Sequence, residues 1–325
     1  FREKLGDKVN ITYSRGCEIV DQSWPESEII PVRPSQEEMS AIRDAVEKAR
    51  QSDVVILVLG ENNEIVGESN SRTDLDLAGF QQLLLEEVSA TGKPVVLVLM
   101  NGRPITVNWA DRNCQAIIEA WFPGKYGGEA LADIIFGDYN PGGKLPVTFP
   151  KSVGQLPMCF PYKPSAQADA ATTVNGVLYP FGFGLSYTSF EYSNLTITPE
   201  KQMEAGNVEI SVNIKNSGPM AGDEVVQLYI SDEVASVIRF EKELRGFERI
   251  SLAPGETKTV HFILTPEELR MLDKNMNWIV EPGWFTVFVG SSSTDIRQQG
   301  RFEIVSKDQG SKPYDTTPIS SGIMW

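Results

Sequence analysis

The chain has 325 residues, 41% of them hydrophobic and 22% charged, with a formal net charge of −15 and a pI near 4.7. Such a length carries two or three domains with proper cores, and the composition is that of an ordinary folded protein. The acidity argues against a nucleic-acid backbone or an anionic membrane as the main partner, and no apolar run reaches the roughly 18 to 20 residues a membrane helix needs.

In chain order, the charged opening Phe1-Arg-Glu-Lys-Leu-Gly-Asp-Lys8 reads as the interior of a domain that begins upstream, and Val9 to Tyr13 as a short strand. Ser35 caps a helix to about Gln51, with Met39, Ile42, Val46 and Ala49 on one face; Glu38 sits where a capping box places it. Val54 to Leu59 is a continuous apolar strand that ends at Gly60. The loop after it holds Glu61, Glu64, Glu68, Arg72 and Asp74. In open α/β sheets ligands bind beyond the carboxyl ends of strands, so a carboxylate cluster there suggests acid-base chemistry. The nearby arginine supplies a charge that can tune it.

A helix over Ala78 to Ala90 is expected to bury Phe80, Leu83, Leu84 and Val88. Strands follow over Pro94 to Met100 and Ala116 to Phe122, with Trp121 and Phe122 expected inside. A helix over Tyr126 to Phe136 should bury Ala130, Leu131, Ile134 and Ile135, with Gly137 as its C-terminal cap. Apolar strands alternating with amphipathic helices imply a mostly parallel, doubly wound α/β sheet covered on both sides. This assigns residues 1–150 to an α/β domain lacking its first elements.

Residues 151–187 form a connection rich in Pro, Gly and aromatics, long enough to pack over a neighbouring surface, with a mobile loop over Ser165 to Thr173. From 188 to 305 the period is two: Val208 to Ile214, Glu224 to Ile230, Lys258 to Leu264 and Trp284 to Val289 read as strands of an all-β immunoglobulin-like sandwich. Residues 306–325 read as an arm.

Cys17, Cys114 and Cys159 have neither metal spacing nor the even count of a disulfide framework, and Cys114 reads as a small buried hydrophobe. His261 is the single histidine and sits inside an alternating strand, so Ser-His or Cys-His catalysis has one poorly placed base. A metal site or a cofactor is not expected.

Several motifs carry a resemblance. Gly60-Glu-Asn, Glu68-Ser-Asn-Ser-Arg72-Thr-Asp-Leu and Gln81-Gln-Leu-Leu are joined by Asn101-Gly-Arg-Pro104 and by Trp121-Phe-Pro-Gly124 with Gly127-Gly-Glu-Ala130. Asn140-Pro-Gly-Gly-Lys-Leu-Pro146 and Tyr179-Pro-Phe-Gly-Phe-Gly-Leu-Ser-Tyr187 follow in order. Together they resemble the second domain of glycoside hydrolase family 3 β-glucosidases. Lys242-Glu-Leu-Arg-Gly-Phe, Leu252-Ala-Pro-Gly-Glu256 and Glu281-Pro-Gly-Trp284 resemble that family's fibronectin type III-like domain.

The resemblance implies a retaining exo-acting β-glucosidase whose nucleophile, an aspartate, lies on an N-terminal (β/α)8 barrel, while a glutamate of the second domain is the acid/base. Retaining chemistry holds the two carboxyl groups about 5 to 5.5 Å apart. The family's acid/base precedes an Asp-Arg or Ser-Arg element, which points to Glu68 before Ser71-Arg72, with Glu64 second and Glu61 third. Arg72, Glu64 and Asn63 are substrate-binding candidates, although Arg72 equally suits a structural ion pair and Asn63 a turn. The family often has Gly-x-Asp-Arg where this chain has Asn70-Ser71-Arg72, so the loop alignment stays open.

By the same resemblance, the chain is the C-terminal part of a secreted or periplasmic enzyme, inactive alone and partnered by the barrel and a β-linked oligosaccharide or glucoside. A β-xyloside or arabinoside is the alternative substrate. The competing reading is a non-catalytic carbohydrate-binding or subunit-assembly module, in which the apolar arm ending Ile323-Met-Trp325 docks a second copy as a homodimer.

Overall fold

A computed structural model describes residues 1–164 and 174–306. The loop expected over 165–173 and the arm beyond residue 306, with the homodimer reading attached to it, lie outside those residues.

The chain opens with a single turn, α1 (Arg2–Leu5), whose Lys4 pairs with Asp133 and Asp138. Val9 to Tyr13 forms no strand; the segment finds no neighbouring strand to pair with, and Tyr13 is 76% exposed. Helix α2 (Gln36–Arg50) begins at the expected Ser35, whose side chain accepts from Glu38 N while Glu38 returns the bond to Ser35 N. Then come β1 (Val55–Gly60), α3 (Gln81–Ser89), β2 (Val95–Met100), α4 (Asn108–Asn113), β3 (Ala116–Glu119) and α5 (Gly127–Ile135).

The three strands form a parallel sheet in the order β1-β2-β3, as the apolar runs require. Gly60 stands opposite Met100, and Leu99 opposite Glu119, so the carboxyl ends of all three strands reach one edge. Ile42 and Val46 of α2 and Leu84, Leu85 and Val88 of α3 pack with Leu59, Val95, Leu97 and Leu99 on one face. Each such burial contributes about 1.5–3 kcal/mol. On the sheet's other face Val58 is 53% exposed.

Two expectations fail here. In α5, only Gly127 and Ala132 are buried; Ala130 is exposed, and Leu131, Ile134 and Ile135 are half-buried. Strand β3 stops at Glu119: Trp121 takes a φ of +49°, which sends its ring against Phe149 (centroids 5.9 Å apart) and leaves Phe122 50% exposed.

The β-rich half contains β4 (Phe190–Thr198), β5 (Lys201–Met203), β6 (Val208–Asn216), β7 (Gly222–Asp232), β8 (Glu243–Leu252), β9 (Thr257–Leu264), the turn α6 (Pro266–Leu269), the two-residue β10 (Met271–Leu272) and β11 (Trp278–Ile279), β12 (Gly283–Gly290) and β13 (Ile296–Val305). A sheet ordered β5-β13-β12-β7-β8 faces one ordered β4-β6-β9. Their alternating inward residues, among them Val212, Ile214, Val226, Leu228, Val260, Phe285, Val287 and Phe302, make one continuous core. His261 points outward, exposed on β9.

The connection between the halves packs rather than dangles. Phe160 stacks on Phe181 at 4.9 Å and meets Tyr229 edge-on at 5.5 Å, and Tyr179 stacks on Phe183 at 5.2 Å. Gln227 donates to Gly182 O (3.1 Å), and Asn140 donates to Ala221 O (3.0 Å) while its Oδ1 accepts from Tyr187 N (2.8 Å).

Candidate functional site

The site lies where β1, β2 and β3 end. Gly60 closes β1 with a φ of +139°, and a Cβ there would stand 2.1 Å from Met100 O, so only glycine fits. The close approach lets Glu61 N donate to Met100 O at 2.7 Å. The buried Gln81 side chain fixes the same peptide from the other side, accepting from Gly60 N (2.7 Å) and donating to Gly60 O (2.9 Å). The start of the acidic loop is therefore rigid.

Glu61 turns inward, its side chain 2% exposed. Its Oε1 lies 3.0 Å from Arg103 Nε and 3.5 Å from Arg72 Nη1, and its Oε2 accepts from Gly102 N at 3.2 Å. Arg72 is equally enclosed, with 3% of its side chain exposed. Its Nε donates to Glu28 Oε1 (2.6 Å), its Nη2 to Asp74 Oδ1 (3.2 Å) and Asp76 O (3.1 Å), and its guanidinium lies 5.6 Å from the Trp24 ring centre. A further carboxylate, Glu119 at the end of β3, accepts from Trp121 N (2.9 Å) and Asn101 Nδ2 (3.3 Å). Burial pushes its pKa up to about 7, with the Glu61 charge adding to the rise against those two hydrogen bonds.

Glu68 is placed differently. It sits in a turn closed by Asn70, whose N donates to Gly67 O and whose Nδ2 donates to Val66 O, each at 3.2 Å. Gly67 (φ +119°) and Ser69 (φ +68°) flank it in the left-handed half of backbone space. Its side chain is exposed and has no hydrogen-bond or ion-pair partner among the described residues. Glu64 and Asn63 are also exposed; Asn62 caps Glu64, accepting from its N at 3.0 Å. Of the residues singled out in the sequence, Glu61 and Arg72 thus meet inside, while Glu68, Glu64 and Asn63 line the outer surface of the same loop. A free carboxylate on a fixed turn can exchange protons with a bound molecule.

Arg103, Asn101, Glu119 and Glu28 complete the arrangement and were not singled out. The first three lie at or just beyond the carboxyl ends of β2 and β3, so the rule about strand carboxyl ends applied to every strand finds them; nothing local marks Glu28, which arrives from a short 3-10 turn far upstream. Among the described residues no group of three or more His, Cys, Asp or Glu could hold a metal ion. Burial raises the Cys114 thiol and pushes Cys17 up to about 12, which leaves both as weak nucleophiles.

Comparison with known proteins places the chain in a family. The profile of the glycosyl hydrolase family 3 C-terminal domain matches residues 5–187, and that of a fibronectin type III-like domain matches residues 224–293. A β-xylosidase of Formosa agariphila is 43% identical over 90% of this chain, and a periplasmic β-glucosidase of Salmonella typhimurium 41% identical over 94%. The chain spans 39% and 42% of those relatives' lengths. Among solved structures, a β-glucosidase from Erythrobacter marinus superimposes with a TM-score of 0.83 at 37% identity, covering 94% of this chain and 42% of that one. A Listeria innocua β-glucosidase in complex with glucose gives 0.76 at 36% identity, covering 84% and 39%. The chain belongs to glycosyl hydrolase family 3.

Proposed function

We propose that this chain supplies the general acid/base of a retaining β-glycosidase, working with a (β/α)8 barrel that carries the nucleophilic aspartate. The observation that carries the reading is the contrast inside one loop: Glu61 and Arg72 are consumed by buried ion pairs, while Glu68 is presented unpaired on a fixed turn. In the first step the Glu68 carboxyl group protonates the leaving oxygen as the aspartate attacks the anomeric carbon. In the second, the Glu68 carboxylate takes a proton from the water that releases the sugar. Glu64 and Asn63, on the same exposed surface, are placed to meet sugar hydroxyls; Arg72 contributes by holding the loop. With one carboxylate of the required pair, the chain by itself is inactive.

The substrate in this reading is a terminal β-D-glucosyl residue, and the location is secreted or periplasmic, in keeping with the Salmonella relative's name. A β-xyloside is the second candidate, favoured by the Formosa relative's name. Residues 1–150, 151–187 and 188–305 act as α/β domain, packed connection and sandwich.

The test is Glu68→Ala in the protein that carries both this chain and the barrel, with this chain alone as a control. Turnover of alkyl or sugar glucosides should fall by about 10²–10⁴-fold. Azide, a nucleophile that needs no base, should restore turnover of activated aryl glucosides as the glucosyl azide. Unchanged kinetics in the variant, or hydrolysis by this chain alone, overturns the reading.

A further inference from the structure

We propose that Glu61 is a positioning residue which, through Arg103 and Arg72, holds the 62–71 loop in the one arrangement that presents Glu68. The inference rests on the reading of Glu68 given above and extends it to residues that never touch substrate.

Three ties converge on this carboxylate. At the loop's start, Glu61 is fixed by its own N–H on Met100 O and by Gly102 N on Oε2. At its middle, Arg103 stands with Nε 3.0 Å from Glu61 Oε1 and extends Nη2 to Ile65 O at 2.6 Å. At its end, Arg72 places Nη1 3.5 Å from the same Oε1. Glu68 lies three residues beyond Ile65 and four before Arg72, in a turn whose own hydrogen bonds reach back to Val66 and Gly67. The turn has internal order, but its place relative to the sheet is set by the two arginines.

Within this network Glu28 and Asp74 take Nε and Nη2 of Arg72, while Nη1 makes no hydrogen bond and has Glu61 Oε1 as its carboxylate neighbour at 3.5 Å. Neutralising Glu61 removes the carboxylate that Arg72 and Arg103 share: Arg72 keeps Glu28 and Asp74, but its enclosed Nη1 loses its carboxylate neighbour, and Arg103 loses its ion pair. The loop then shifts and carries Glu68 with it. A displacement of about 1 Å in a catalytic group can cost about 100-fold in rate.

A positional loss of the acid has a signature that general damage lacks. Activated aryl glycosides leave without protonation, whereas alkyl and sugar glycosides require it. Glu61→Gln and Arg103→Lys, in the protein that also carries the barrel, should each lower kcat/KM for an alkyl β-glucoside by about 100-fold. For a dinitrophenyl β-glucoside the loss should stay within about 5-fold. Hydrogen exchange of residues 62–71, measured on this chain alone, should rise in both variants while the exchange of β2 does not. Arg103→Lys keeps the charge and gives up the reach to Ile65 O, so it reports on the tie even where Glu61→Gln folds poorly. Equal losses on both substrates, or unchanged exchange in the loop, overturn the proposal. Glu68→Ala, run in parallel, separates the two ideas: absence of leaving-group dependence there sinks the role of Glu68, and its presence there but not in the other variants sinks the clamp.

Discussion

The two halves of this molecule solve opposite problems. In the sandwich β6, β7, β12 and β13 are paired on both sides, and apolar side chains from two sheets fill one continuous core. At the carboxyl edge of the parallel sheet, Glu61 forms a network with four further charged side chains, Arg72, Arg103, Glu28 and Asp74, and the hydrophobic core lies on one face below them. The first half-molecule stores stability in close packing that needs nothing further. The second spends part of its stability on buried charge, which fixes a loop but gains little net free energy. Stability and presentation of a reactive group are therefore carried by different parts of the chain.

The largest effect should come from the sandwich core. Phe285 and Phe302 are fully buried and stacked at 5.4 Å between centroids. Phe302→Ala removes one ring of that pair and leaves a cavity that the β12–β13 ladder resists closing. The expected loss is about 3–5 kcal/mol, read as a lower denaturant midpoint for the unfolding of residues 190–305. If the two halves are energetically separate, hydrogen exchange of β1 and β2 will be unchanged at low denaturant. Equal loss of protection in both would break the comparison.

Much of the fold was legible because each half follows one period. Ser35 and Glu38 marked the start of α2 to the residue, and the apolar runs at 54–59 and 94–100 marked the parallel strands β1 and β2. The failures share a cause: the deciding contact was remote. Alternation at Val9 to Tyr13 had no partner strand, and the early end of β3 depends on Trp121 finding Phe149. In the acidic loop the residue types were visible, but which glutamate turned inward was not. That choice was made by Arg103, in the loop after β2, and by Glu28, 44 positions before Arg72.

The second effect is a pH dependence confined to the charged edge. Glu119 has its pKa raised from 4.5 to about 7, chiefly by burial. A carboxyl group whose folded pKa lies above its unfolded value stabilises the fold below the unfolded pKa, and that contribution is lost as pH rises through the folded one. Stability of the parallel-sheet half should therefore decline between about pH 4.5 and 7, by on the order of 2–3 kcal/mol from this group. Glu119→Gln cannot ionise, so the difference in unfolding free energy between wild type and variant should follow that curve and flatten above pH 7. A difference that does not vary with pH would mean that Glu119 titrates alike in the folded and unfolded chain, its burial offset by the hydrogen bonds from Trp121 N and Asn101 Nδ2.

The smallest effect should come from the polar seam that joins the halves. Arg249 of β8 donates through Nε to Asp223 Oδ2 at 2.9 Å, and its Nη2 donates to Tyr139 Oη at 2.6 Å across the boundary. Half of the Arg249 side chain is exposed, so solvent and salt screen the charge and an exposed pair contributes about 0–1 kcal/mol. Arg249→Met keeps the aliphatic stem and removes the charge. Its unfolding midpoint should stay within about 0.5 kcal/mol of wild type at 0.15 M salt. The seam is held instead by uncharged, enclosed contacts, Asn140 bonded to Ala221 O and Tyr187 N, and Gln227 bonded to Gly182 O. Losing those strands buried polar groups at about 1–3 kcal/mol each. If Arg249→Met alone uncoupled the halves, the seam would be electrostatic and loosened by salt; if the halves stay coupled, the enclosed amides set how the sandwich sits against the sheet.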